Sequence, residues 1–234
     1  MRRHVRHGAF ETNSSSTHTI AIAKHLTDDN REHRIGKYYL YDEWEPGEFE
    51  FGRIPKIENS IGKRIAYAVL VFLDYPKDVV PVEERKSFYG RIYDIMDRNL
   101  PDEPESKYDD PKSEVIFRVK KLIQFCEWAC CHWHDGWTPT YTMENEIISH
   151  DHFAYVDHSG CAKKFYDRIT TDDSALERFI MAKNSFAYAG GDEYNGYYMP
   201  RVGFEYDYDD DKEFFKAAKS MAKKLDVELF FKGN

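Results

Sequence analysis

Apolar residues recur along this chain in two periods, and the switches between them mark out its elements. "HTIAIA", residues 18–23, alternates apolar and polar or small positions and predicts a strand. "YYLYDEWEPGEFEFG", 38–52, alternates, meets Pro46-Gly47 and alternates again, which predicts a hairpin. "NSIGKRIAYAVLVFLDY", 59–75, places a capping residue, Asn59 or Ser60, ahead of apolar residues at helical spacing. After Pro76 and Pro81, residues 83–99 read as an amphipathic helix with Phe88, Ile92, Ile95 and Met96 on one side. "SEVIFRVKKLIQFCEWACCHWH", 113–134, predicts the longest helix, capped at Ser113 and stopped near Gly136 and Pro139. Further on, short strands are expected within 153–157, 185–190, 202–206 and 227–231, and helices within 160–169, 173–182 and 212–225. Helices and strands interleave without a strict βαβ rhythm and without an internal repeat. The expected class is therefore α+β, a mixed or antiparallel sheet with several packed helices. One domain over 1–234 is expected, with the acidic, proline-bearing stretch 100–111 as either a sub-boundary or an exposed loop.

Composition sharpens this in two ways. The 234 residues are 41% hydrophobic and 16% aromatic, with 17 Tyr and 16 Phe, enough to fill a core and to exclude a mainly disordered chain. The formal net charge of -9 has the wrong sign for non-specific nucleic-acid binding, which depends on neutralising phosphates. The one basic stretch is "MRRHVRH" at the N-terminus, with Arg2, Arg3 and Arg6. "IAYAVLVFL" is too short to cross a bilayer, and no apolar segment follows the basic start as in a secretory signal. The cysteines, Cys126, Cys130, Cys131 and Cys161, read as reduced thiols, so the expected compartment is a cytosol, with no membrane partner.

The densest candidate chemistry precedes the first strand. Thr12 through Thr17 is an unbroken run of Ser, Thr and Asn, whose side chains compete for backbone hydrogen bonds and favour tight turns over regular structure. Such turns expose hydroxyls and amides that suit an oxyanion. Arg6, Asn13, Ser14, Ser15, Ser16 and His18 would line a pocket for an anionic, nucleotide-like ligand, and Glu11 would orient a ribose or an arginine. The structural alternative is a loop that caps its own turns. Serine-hydrolase chemistry is disfavoured, because His18 is too near the serines in sequence for triad geometry and no GxSxG elbow exists. The string Arg6-x-Gly8-x-Phe10-Glu11-Thr12-Asn13-Ser14-Ser15-Ser16-Thr17-His18 resembles the opening of a group of phage and prophage proteins, mostly from Gram-positive bacteria. "FIMAKNSFAYAGGDE", 179–193, is a looser echo of the same group. The resemblance implies a phage origin, hence a bacterial host cytosol and a counter-defence context, but no mechanism.

Four further constellations matter. Gly190, Gly191, Asp192 and Glu193 follow an expected strand and suit a second, ligand-facing loop. Glu193 would be the acid in a transferase acting on a nicotinamide dinucleotide. His150, His152, Asp157 and His158 form a candidate site for zinc or another divalent metal, and so for a metal-dependent hydrolase, although a hydrogen-bonded histidine-rich loop fits their spacing as well. Cys126, Cys130 and His134 share a helical stripe that Cys161 could complete as a zinc site, but Trp128 and Trp133 argue that this helix is core. Asp209 to Asp211, interleaved with tyrosines, either cap the helix that follows or present an acidic face to a basic host enzyme, as a protein-binding inhibitor would.

Overall fold

The central element is a helix that is buried on nearly every side. In the computed structural model α1 spans Ile61–Asp74, and its Arg64–Phe72 segment is buried throughout. The structure describes residues 18–32, 49–51, 56–58, 60–76, 79–102, 111–135, 141–143, 146–148, 154–156, 163–189, 197–199, 204–206 and 223–231. The apolar stretch of α1 must be covered all round, and helices and strands that precede and follow it in the chain lie against it. Ser60 starts it, the side-chain oxygen accepting from the Lys63 amide at 3.3 Å. No described helix is long and apolar enough to cross a membrane.

On one side of α1 lies a four-stranded antiparallel sheet, ordered β10 (Val227–Phe231), β1 (His18–Ala23), β7 (Phe186–Ala189) and β3 (Lys56–Glu58). Ile20 and Ile22 of β1, Ala187 of β7 and Phe230 of β10 enter the main core with the helices. Ala21, Phe186 and Val227, at the alternate positions, form a second small cluster with Leu225 and Leu229 on the other face. The strict alternation of "HTIAIA" is thus satisfied by burial on both faces, with alanine where the second layer is close. Also packed against α1 are α3 (Lys112–Asp135) and a parallel pair, β2 (Phe49–Phe51) with β6 (Ala154–Val156). Helices α4 (Lys163–Thr171) and α5 (Asp173–Met181) join α1 and the sheet, while α2 (Val82–Asn99) packs on α3 and α5. Two further antiparallel pairs are β4 (Tyr141–Met143) with β5 (Glu146–Ile148), and β8 (Tyr197–Met199) with β9 (Phe204–Tyr206). The fold class is α+β.

Aromatic rings join these layers. Phe165 of α4 lies 5.9 Å from Tyr67, 5.0 Å from Phe179 and 5.8 Å from Phe230, so one ring ties α1, α5 and the sheet together. Phe72 stacks on Phe88 at 4.1 Å, and this contact docks the N-terminal half of α2 on α1. Arg91 then fixes α2 against the α4–α5 turn, donating to the Ile169 and Thr170 carbonyls at 2.8 Å each and to Asp173. Those carbonyls belong to the last turn of α4, which has no intrahelical donors left for them.

Where the structure bears on the expected elements, it supports most of them. The apolar stripe of α2 is buried at Phe88, Ile92, Ile95 and Met96. α3 ends one residue before Gly136, but it begins earlier than expected: Lys112 is already helical, and the Glu114 and Val115 amides bond to the Pro111 carbonyl. Ser113 is therefore inside the first turn and is not the cap, because Pro111 pre-sets the entry one residue upstream. β2 is the second arm of the expected hairpin, and its described partner is β6; the first arm lies outside the described residues. Residues from both sides of 100–111 share one core, and Lys112 bridges back to Asp97 at 3.3 Å and Asp102 at 2.9 Å.

A polar node holds the α5–β7 connection to the sheet. The Ser185 hydroxyl accepts from the Ala23 amide at 3.0 Å and donates to the Arg178 carbonyl at 2.8 Å, while Arg178 Nε donates to the Ala23 carbonyl at 2.8 Å. Beneath them the buried Arg64 guanidinium donates to the carbonyls of Ala182 and Ser185. Ser185→Ala leaves the buried Ala23 amide without its acceptor, which costs about 1–3 kcal/mol. The urea midpoint should fall by that amount divided by the m-value, with the m-value itself unchanged; an unchanged midpoint would show that the hydroxyl contributes nothing.

Candidate functional site

Register, more than any single side chain, defines the site. β1 begins at His18, which pairs with Ala189, the last residue of β7; Ala189 in turn pairs with Lys56, the first residue of β3. His18, Ala189 and Lys56 therefore form one row across three adjacent strands at one end of the sheet. The polar run ends at Thr17, one peptide bond before this row, and the glycine-acid segment starts at Gly190, one peptide bond after it. Two segments about 170 residues apart in sequence thus attach to the same end of the sheet, because β1 and β7 run antiparallel.

Of the residues expected to bind a ligand, the structure describes the backbone of His18. Arg6, Glu11, Asn13, Ser14, Ser15 and Ser16 lie outside the described residues, as do Gly190, Gly191, Asp192 and Glu193. The candidate metal set His150, His152, Asp157 and His158 also lies outside them, and so do Asp209 to Asp211. Lys56 comes from a strand that the sequence pattern did not predict. Its signal was slight, a three-residue alternation between Pro55 and the helix cap.

Among the described residues, a pair of thiols on α3 and a polar cluster beside the β1 loop are both explained by packing. Cys126 and Cys130 sit on α3 within the apolar core, at 0% and 3% exposure, next to Trp128 at 8%. Burial pushes the Cys126 thiol up, away from the thiolate that a metal would need. No group of three metal-ligating side chains occurs among the described residues. This helix is core, as its tryptophans suggest.

The second cluster joins the loop after β1 to α2 and α5. Arg31 donates to Asn99 Oδ1, and Asn99 Nδ2 donates to the Ile95 carbonyl at 2.8 Å and to Glu177 at 2.6 Å. Arg98 Nε donates to the same Glu177 carboxylate at 3.0 Å. The amide of Asn99 has its orientation fixed, with oxygen to a guanidinium and nitrogen to a carboxylate. Burial alone would raise the Glu177 carboxyl, but the hydrogen bonds of Arg98 and Asn99 and the charges of Arg98 and Arg31 outweigh it, and its pKa is lowered. The hydrogen bond to Glu177 likewise raises Arg98. Every polar atom named here is engaged within the protein, so the cluster is a brace between elements.

Comparison of the chain with known protein families, with curated proteins and with solved structures finds no match.

Two outcomes follow from these environments. Because the folded Glu177 titrates below the ordinary value of about 4.3, its brace adds stability above that pH and loses it as pH falls through the folded pKa. Glu177→Gln should therefore cost about 1–3 kcal/mol at neutral pH, with the gap to wild type closing on acidification. A gap that stays constant in urea titrations from neutral to acid pH would contradict the assignment. Cys126 and Cys130 should resist alkylation at mildly alkaline pH in the native protein and react only in denaturant. Labelling of either in the folded chain, read by peptide mass, would show that the α3 core is open.

Proposed function

We propose that this protein binds, and sequesters or modifies, an anionic nucleotide-like ligand at the His18 end of its sheet, and that it is phage-derived and acts against a host signalling or defence pathway. The pocket in this reading comprises Arg6, Asn13, Ser14, Ser15, Ser16 and His18, with Glu11 orienting a ribose or an arginine and Gly190 to Glu193 as a facing loop. The observation that carries it is the pairing of His18 with Ala189, since it joins the two ligand-type segments to one row of a rigid sheet. Loops borne on a rigid scaffold are the usual place for binding residues. Run alone, the hydroxyl-rich segment would be an ordinary loop. Attached to the same end of the sheet as a glycine-acid segment, it would share with that segment the mixed donors and acceptors that a phosphate and a ribose need. The phage context rests on the resemblance of the N-terminal string.

The test is the mass of gently purified protein under native and denaturing conditions, followed by titration with the ligand so found. A mass excess seen only in the native spectrum, matching a nucleotide-like molecule, is expected. Ser15→Ala combined with His18→Ala should weaken that binding on the order of a hundredfold, from about 1.4 kcal/mol at each of two lost hydrogen bonds, with an unchanged melting transition. Undiminished binding by the double variant would sink the pocket.

A further inference from the structure

We propose that the outer face of α2 and α3 is the docking surface for a second copy of this chain, across a two-fold axis that passes beside Gly90. Among the described residues three large apolar side chains are exposed: Val79 at 87%, Val82 at 52% and Phe117 at 41%. Val82 opens α2, Val79 lies just before it, and Phe117 is on α3. The two helices run antiparallel: Arg85 pairs with Glu127, Lys120 lies over the Tyr93 ring at 5.6 Å, and Lys112 bridges to Asp97. Phe117 is therefore level with the turn Tyr93–Asp97, at the other end of this face from Val79 and Val82. Gly90 stands between the two ends. It is interior to an 18-residue helix, where glycine costs stability relative to alanine. A Cβ there would meet nothing within 4 Å, so packing inside the chain gives no reason for the glycine. On an outer helix face, glycine lets a second backbone come close.

Charge selects the occupant. Glu83, Lys86, Asp94 and Asp97 are exposed, and the helical repeat puts all four within about 40° of Gly90 around α2. When two copies of α2 cross antiparallel at Gly90, each residue meets the one equally far beyond it. Lys86 then faces Asp94 of the second copy, and Asp94 faces its Lys86, so the surface is complementary to itself. Glu83 faces Asp97, but each of these acids brings a lysine, Lys86 at 3.0 Å and Lys112 at 3.3 Å. The same rotation carries Phe117 of the second copy to the end where Val79 and Val82 stand. Apolar groups at opposite ends of one chain thus meet in the pair, twice over. Each chain has a formal net charge of -9, so two copies repel unless opposite charges come into register in this way. The competing explanation is that single exposed apolar residues are ordinary on a protein surface. It gives Gly90 and the Lys86–Asp94 symmetry no effect on association, and there the two explanations part.

The experiment is sedimentation equilibrium of the full chain from about 1 μM to about 1 mM, as wild type, Gly90→Gln, Lys86→Asp, Asp94→Lys and the Lys86→Asp, Asp94→Lys double variant. Wild type should pass from monomer to dimer across this range. Gly90→Gln should weaken association by roughly tenfold or more, while its melting temperature in dilute solution holds or rises. Glutamine is the better helix former, and in the monomer its side chain enters open space. Each single charge reversal should weaken association, and the double variant should recover it, because the exchange leaves the cross-copy pairs opposite in sign. A wild type that stays monomeric at the highest concentration would overturn the second copy as occupant and leave the face to a different partner. Dimers of Gly90→Gln as tight as those of wild type would put the contact on another surface and overturn it as well. Weakened single reversals that the double variant fails to rescue would overturn the two-fold register.

Discussion

The arrangement depends on how one buried cation is accommodated. Arg64 is fully buried beside the long apolar stretch of α1, and an isolated guanidinium in such a place would be prohibitively costly. Its Nη1 donates to the carbonyls of Ala182 and Ser185, where α5 ends and β7 has not yet begun. Ser185 then hands the constraint to β1 through the Ala23 amide, two residues beyond Ala21 of the last backbone pair, Ala21 with Phe186. A slip of one residue between β1 and β7 would exchange the faces of Ile20 and Ala21 and break this chain of bonds. The register that sets His18 against Ala189 is therefore held from the opposite end of the sheet.

Length and period explain which elements were legible. α1, α2, α4 and α5 were readable because several turns of apolar spacing, with Ser60 and Asp172 accepting from the first-turn amides, repeat one message. β1 and β10 were readable because at least five residues fit one period. β3, β4, β5 and β8 are three residues each, too short to show a period, and they exist because a partner strand supplies their hydrogen bonds. Pairing is non-local information. The parallel partner of β2, about 105 residues away, could not be inferred from the alternation around Phe49, which argues equally for a local hairpin.

The same limit applied to the candidate site. The residue types around Thr12–His18 and Gly190–Glu193 pointed to anion and ribose contacts one segment at a time, and each segment alone was also an ordinary turn. Their shared location came only from antiparallel pairing, and Lys56 was invisible because its strand was. For the cysteines the balance was the reverse. Trp128 and the apolar spacing of α3 already favoured a core, and the burial of Cys126 and Cys130 agrees. Among the aromatic residues the question of core against interface resolves for Tyr67, Phe165, Phe179 and Phe230, which face one another inside the protein.

The two ends of the sheet consequently have different physical characters. At the Ala23 end, side chains satisfy backbone groups: Ser185, Arg178 and Arg64 as described, and Asn184, whose Nδ2 donates to the Leu225 carbonyl at 2.9 Å beside the positive-φ Asp226. Aspartate tolerates that left-handed conformation better than most residues, and the Lys24 amide bonds to its carbonyl at 3.0 Å, which closes the turn into β10. Polar groups engaged in this way are unavailable to a ligand. At the His18 end the sequences that adjoin the row, Thr12–Thr17 and Gly190–Glu193, are rich in hydroxyl, glycine and charge. A sheet locked at one end by its own polar side chains can carry a specific set of groups at the other without losing register, since the cost of presenting them is met by contacts about 15 Å away along the strands. That brace at the Ala23 end is the physical ground for the proposal that a ligand binds at the His18 end.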